Sequence, residues 1–119
     1  MTEVALRKKY KLASNPEKVI EFLENRLTED GDNILVVDTE TTGLYPLKDI
    51  VVSIQITFAK NIGILIPCNF LNHPNFSDKD IRRILEVLKK YRLVYHNYKF
   101  DGMMIYCNYG ILLPVFADT

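Results

Sequence analysis

The tightest constraint on this chain is the apolar run Asn33 to Val37 (NILVV), which follows the turn signal Gly31-Asp32-Asn33 and ends in two acids, Asp38 and Glu40. A short apolar run bounded by turn residues predicts a central strand covered on both faces. Two acids at the end of a buried strand are costly unless something compensates them. Side chains at i and i+2 on a strand share a side and lie about 6–7 Å apart along it. Asp38 and Glu40 therefore converge on one site, and hard carboxylate oxygens suit Mg²⁺ or Mn²⁺. Taken alone, a D-x-E pair is a weak signal, and a strand-end pair that caps the next turn is the better explanation of it. The full segment Asp38-Thr39-Glu40-Thr41-Thr42-Gly43-Leu44 is far more specific. Within it, Gly43 lets the backbone turn sharply or a ligand come close.

The rest of the chain predicts a sheet around that strand. Ile50, Val52, Ile54, Ile56 and Phe58 alternate with Val51, Ser53, Gln55 and Thr57, the pattern of a half-buried strand. Ile62 to Ile66, ended by Pro67, reads as another, so three strands with short links predict an antiparallel meander. Residues 1–14 read as an extended lead-in with a short strand. Ser14-Asn15-Pro16-Glu17 starts a helix over 16–28, with Val19, Ile20, Leu23 and Leu27 on one face. Ser77 caps a second helix, with Asp78 and Asp80 in its first turn and Ile81, Ile84, Leu85 and Leu88 buried. Arg92 to Tyr95 reads as a strand and Lys99 to Asn108 as a helix closed by Gly110. Ile111 to Phe116 then leads into a last strand. Strands in a run, then helix and strand in alternation, make a mixed α/β sheet.

At 119 residues the chain suits one domain. Its 15 basic and 15 acidic residues cancel, which excludes a protein that holds nucleic acid through bulk positive charge. The 48% apolar share is that of an ordinary globular domain. The first residues carry no apolar run of a secretory signal, and no apolar stretch is long enough to span a bilayer, so no membrane association is expected. Cys68 and Cys107 fit no zinc or redox spacing and read as small apolar residues in a cytoplasmic setting. The clustered tyrosines of the last third, with Met103 and Met104, read as packing residues, and Arg7-Lys8-Lys9 as a solvated face.

A second polar segment, Tyr95-His96-Asn97-Tyr98-Lys99-Phe100-Asp101, crosses from a strand into a helix. Asp101 in a first helical turn is favoured by the dipole and is also placed to serve a metal; Asn97 reads as a cap or a polar site residue. With these residues in view, the chain resembles the DnaQ-like 3′–5′ exonucleases, whose fold is ribonuclease H-like. The phrasing is closest to the proofreading exonuclease domain of family A, polymerase I type, DNA polymerases. Asp38 to Leu44 is similar to the first exonuclease motif and His96 to Asp101 to the second. Tyr109-Gly110-Ile111 and Asp118-Thr119 follow in the family's order. The resemblance runs from about residue 10 to the end.

It implies a mixed sheet, a three-strand antiparallel meander followed by parallel strands, with flanking helices. It implies catalytic and metal-ligating roles for Asp38, Glu40 and Asp101, with Mg²⁺ or Mn²⁺ as cofactor. Asp38 would bridge two ions, Glu40 would hold the one that activates water, and Asp101 the other. Thr41, Leu44, Asn97 and Tyr98 would bind the strand, Leu44 as a wedge against the terminal bases. Lys99 is either a phosphate contact or a surface lysine, and His96 belongs to the flank of the second motif. The implied reaction is two-metal hydrolysis of the 3′-terminal phosphodiester of single-stranded DNA.

The resemblance breaks at its third motif, a helix with Tyr or His and a fourth acid, which would fall after Thr119. The expectation is therefore a single partial exonuclease domain over 1–119, incomplete at its C-terminal side and weak or inactive alone. A polymerase domain in the full-length protein, a complementing chain, or self-association through uncovered surface would complete it. Two alternatives stand: a non-catalytic module that binds DNA ends or a polymerase, and an exoribonuclease of the same superfamily.

Overall fold

The computed structural model describes residues 9–29, 33–60 and 62–119. Arg7, Lys8, Gly31 and Asp32 thus lie outside the described residues. The elements run β1 (Lys9–Leu12), α1 (Pro16–Glu29), β2 (Ile34–Thr41), β3 (Val51–Ala59), β4 (Ile62–Pro67), α2 (Asp78–Leu88), β5 (Arg92–Tyr95), α3 (Tyr98–Tyr109) and β6 (Ala117–Asp118). The strands form one six-stranded sheet in the order β1-β4-β3-β2-β5-β6. The expected meander is present: β2 pairs antiparallel with β3 and β3 with β4, with Val37 opposite Ile56 and Ile56 opposite Ile64. On the other side of β2, β5 and then β6 add in parallel, with Leu35 beside Leu93 and Tyr95 beside Asp118. The α/β mixed sheet expected of a ribonuclease H-like chain is thus the one observed.

Helix starts and stops follow local chemistry. Asn15 Oδ1 accepts from the amides of Glu17 and Lys18, at 2.9 and 3.3 Å, and so opens α1. Ser77 Oγ accepts from the Asp80 amide at 3.1 Å and opens α2. Gly110, at φ 73°, closes α3 by donating its amide to the Tyr106 carbonyl at 2.8 Å.

The three helices among the described residues contribute to one core: Val19 and Leu23 from α1, Ile81, Ile84 and Leu85 from α2, and Met104 and Ile105 from α3. They meet Leu35, Val37, Ile54, Ile56, Ile66 and Leu93 of the sheet. Tyr91, just before β5, ties the α2–β5 connection to α1 by donating its hydroxyl to the Leu23 carbonyl at 2.7 Å. Met103 is not part of this core; it is 43% exposed while Met104 is sealed, because neighbouring helical positions point about 100° apart.

Two strand expectations need correction. Strand β2 is central in the sheet but covered on one face only. Leu35 and Val37 are buried, whereas Ile34 and Val36 are 42% and 39% exposed, because every helix among the described residues joins the Leu35 side. In β3 the simple alternation fails at its start. Glu40 pairs with Ser53 and Thr41 with Val51, so Val52 is skipped in a bulge. The bulge turns Val51 inward to full burial and leaves Ile50 45% exposed.

Candidate active site

Both acids of the first segment lie within β2, which extends to Thr41. Alternation places Asp38 and Glu40 on the open face of the sheet, in line with Ile34 and Val36, and both are exposed. Asp38 Oδ1 accepts from the Thr39 amide at 2.9 Å. Thr39 itself points the other way and is buried.

That inward threonine meets the second segment. Asp101 sits in the first turn of α3, its amide on the Asn97 carbonyl at 3.0 Å, and is only 4% exposed. Its Oδ1 accepts from Thr39 Oγ1 at 2.5 Å. Burial pushes the Asp101 carboxyl above its usual range; the Thr39 hydroxyl opposes this, and the nearby charge of Asp38 adds to it. The two motifs, 62 residues apart, are therefore joined by a residue that sequence reasoning passed over. The available signal was a hydroxyl in the inward phase of an otherwise apolar row.

The remaining candidates fall into place around this junction. Thr41 Oγ1 donates to the Gly43 carbonyl at 2.8 Å, and Leu44 is 76% exposed beyond it. Gly43 is needed for close approach: a Cβ there would lie 2.4 Å from Asp49 Oδ2. Asn97 occupies the cap position of α3, but its side chain makes no capping bond. Asp118 of β6 makes it instead, its Oδ1 accepting from the Tyr98 amide at 3.1 Å. The Tyr98 hydroxyl donates to the Leu113 carbonyl at 2.9 Å and its ring meets Tyr95 edge-on at 4.8 Å, so the phenol is committed to the fold. Lys99 and His96 are exposed; His96 Nδ1 lies 3.4 Å from Thr119 Oγ1.

In donor chemistry these residues fit a hard divalent cation. Asp38 and Glu40 offer solvent-facing carboxylates. Ser53 Oγ, buried and without a hydrogen-bond partner among the described residues, stands across the strand pair from Glu40. In this arrangement, however, no three Asp, Glu, His or Cys side chains among the described residues gather closely enough to cage an ion. Asp101 is turned to Thr39 on the helix side, while Asp38 and Glu40 face outward. The Cys68 thiol is buried, which pushes it up to about 11, and takes no part. No helix among the described residues is long and apolar enough to cross a membrane.

A family model described as 3′–5′ exonuclease matches residues 11–119. No curated protein matches the chain. Among solved structures, it is similar to Trypanosoma brucei RNase D in complex with RNA U12, with a TM-score of 0.65 and 16% identity over 95% of this chain and 38% of that one. It is similar to Brucella melitensis NrnC with bound Mg²⁺, with a TM-score of 0.55 and 20% identity over 92% of this chain and 47% of that one. It is also similar to the catalytic core of RRP6 from Trypanosoma brucei, with a TM-score of 0.61 and 13% identity over 98% of this chain and 30% of that one. The chain thus spans less than half the length of each structure, and at these identities the likeness is one of fold.

Proposed function

The chain belongs to the 3′–5′ exonuclease family, of the DnaQ-like (DEDD) type, and from that premise we propose that it serves to hydrolyse the 3′-terminal phosphodiester of a single-stranded nucleic acid at the Asp38–Glu40–Asp101 end of its sheet. The observation that carries the proposal is the Thr39–Asp101 bond. It brings the two motifs together where the parallel strands β2 and β5 end, the usual place for a site in such sheets.

Asp38 and Glu40 would hold a Mg²⁺ or Mn²⁺ ion, with Asp101 completing the set. Such an ion, when bound, supplies charge stabilisation at phosphorus and a more acidic water. Asp38 and Glu40 present their carboxylates on the open face, where a phosphodiester has access. Glu40 accepts a hydrogen bond from the terminal 3′-hydroxyl. Thr39 holds Oδ1 of Asp101. Thr41, Leu44 and Asn97 line the path of the strand, and Tyr98 contributes its ring, since its hydroxyl is already engaged.

Proofreading on DNA, with a polymerase domain in the longer protein or a complementing chain, is the first reading, on the wording of the Asp38–Leu44 and His96–Asp101 segments. RNA is the second, favoured by the fold's likeness to an RNase D solved with RNA. The open face and the ungathered acids support a partial domain over 1–119 that works with an added element or a second copy. The test is release of 3′-terminal mononucleotides from labelled single-stranded DNA and RNA in Mn²⁺. The 119-residue chain is expected to act slowly, and Asp38→Ala or Asp101→Ala to remove what activity it has. Release that is indifferent to Asp38→Ala, or that starts from the 5′ end, overturns the proposal. A clear preference for RNA moves the substrate to the second reading.

A further inference from the structure

The segment between β2 and β3 is built inside out. Thr42 and Asp49 bind each other and the loop's own backbone and tie it shut. Thr42 donates its amide to the Ile50 carbonyl and accepts the Ile50 amide on Oγ1, both at 3.0 Å. Thr42 Oγ1 donates to Asp49 Oδ1 at 3.1 Å, and the Tyr45 amide donates to Asp49 Oδ2 at 3.0 Å. The Tyr45 carbonyl accepts from the amides of Lys48 and Asp49, which closes a turn with Pro46 at its second position. Both oxygens of Asp49 are thereby used. The large apolar side chains point outward: Leu44, Tyr45 and Leu47 are 76%, 68% and 95% exposed.

A pinned loop that spends its polar groups on itself and offers three large apolar side chains to water is a contact surface. We propose that Tyr45 and Leu47 extend the surface begun by Leu44 into a stacking platform for unpaired bases of the substrate strand, and that Asp49 is the residue that positions it. The proposal rests on the exonuclease reading and adds to it the region next to the terminal nucleotide. Three observations select a nucleic acid over a protein as occupant. The loop continues directly from the strand that carries Asp38 and Glu40. Exposed Lys48 stands at its turn, and an exposed ammonium suits a phosphate. The chain's net charge is zero, so affinity for a strand cannot come from bulk charge, whereas aromatic stacking supplies it regardless of sequence. Because the bonds to Asp49 already order the loop, little further ordering opposes binding.

The test is binding of fluorescent single-stranded oligonucleotides, DNA and RNA, to the 119-residue chain. An abasic strand of equal length and a blunt duplex serve as controls, and backbone amide shifts are mapped alongside. The parent chain is expected to prefer the base-bearing strand, with shifts at residues 43–50. Tyr45→Ala is expected to weaken that binding about 5- to 150-fold and to erase the preference over the abasic strand, while Tyr45→Phe retains both. Asp49→Ala is expected to weaken binding while raising hydrogen exchange at the Tyr45 amide with the melting temperature nearly unchanged. Asp49→Asn, which keeps one acceptor oxygen, is expected to fall between. Binding that Tyr45→Ala leaves unchanged, or shifts confined to residues 38–40 and 101, overturns the platform and leaves the exonuclease reading standing. No binding of either base-bearing strand overturns both. Capture of a protein by the loop, with Tyr45 indifferent to oligonucleotide, makes the surface a docking site and overturns the platform.

Discussion

At the scale of single residues, catalytic suitability and stability pull apart at Asp101. It is a carboxyl 4% exposed that accepts from the Thr39 hydroxyl, with the charge of Asp38 nearby. A buried charge with thin compensation costs stability, whereas the neutral amide of asparagine still accepts from Thr39. Asp101→Asn is therefore expected to stabilise the isolated chain, on the order of 1 kcal/mol or about 4 °C in melting temperature, while removing the contribution to hydrolysis proposed for Asp101. A thermal melt and a cleavage assay on the same preparation check both halves. Thr39 explains why the junction was illegible beforehand. Which carboxyl a threonine will touch depends on how α3 docks, and that docking leaves no trace in the local spacing of Asp38 and Glu40.

At the scale of elements, α1 and α2 are linked on their exposed sides by Arg83, which donates to both oxygens of Glu17, at 2.5 and 3.0 Å, and to Asp80 at 3.0 Å. The hydrogen bonds from Arg83 hold the Glu17 carboxyl below its usual range. A lowered native value means that the unfolded chain binds a proton first, so the contribution is present above the ordinary glutamate range and is lost as pH falls through the lowered one. Glu17→Gln is expected to lower the melting temperature slightly at neutral pH and to match the parent chain in acid. Melts from pH 7 to pH 2 read this directly. Salt should shrink the neutral-pH difference, as for any exposed pair. Helix ends and the meander were legible because capping side chains and period-two alternation are local signals. The bulge at Val52 was not, since the pattern Ile50-Val51-Val52-Ser53 reads the same whether or not one residue is skipped. The cap on α3 came from Asp118, 20 residues downstream, where Asn97 had the sequence credentials.

At the scale of the whole molecule, the consequential fact is a sheet whose described helices share one face. A four-residue apolar run predicts burial but does not say on how many sides, so the openness of Ile34 and Val36 was not readable from β2 alone. Their exposed side chains leave the site's own strand ready to associate. The purified chain is expected to sediment as a mixture that shifts toward dimer with concentration. Ile34→Thr with Val36→Thr is expected to shift it toward monomer with little loss of fold, since both positions are open and threonine suits a strand. A parent chain that stays monomeric across the range counts against self-association and leaves an added element as the cover. One contact bears on all of this. Asp118 anchors the first amide of α3 while β6 pairs with β5, so the last strand acts as a lever whose short arm ends one helical turn from Asp101. A displacement of Ala117–Asp118 is therefore expected to reach the carboxyl that Thr39 holds. Tension on that strand would be felt as chemistry at the other end of the helix's first turn.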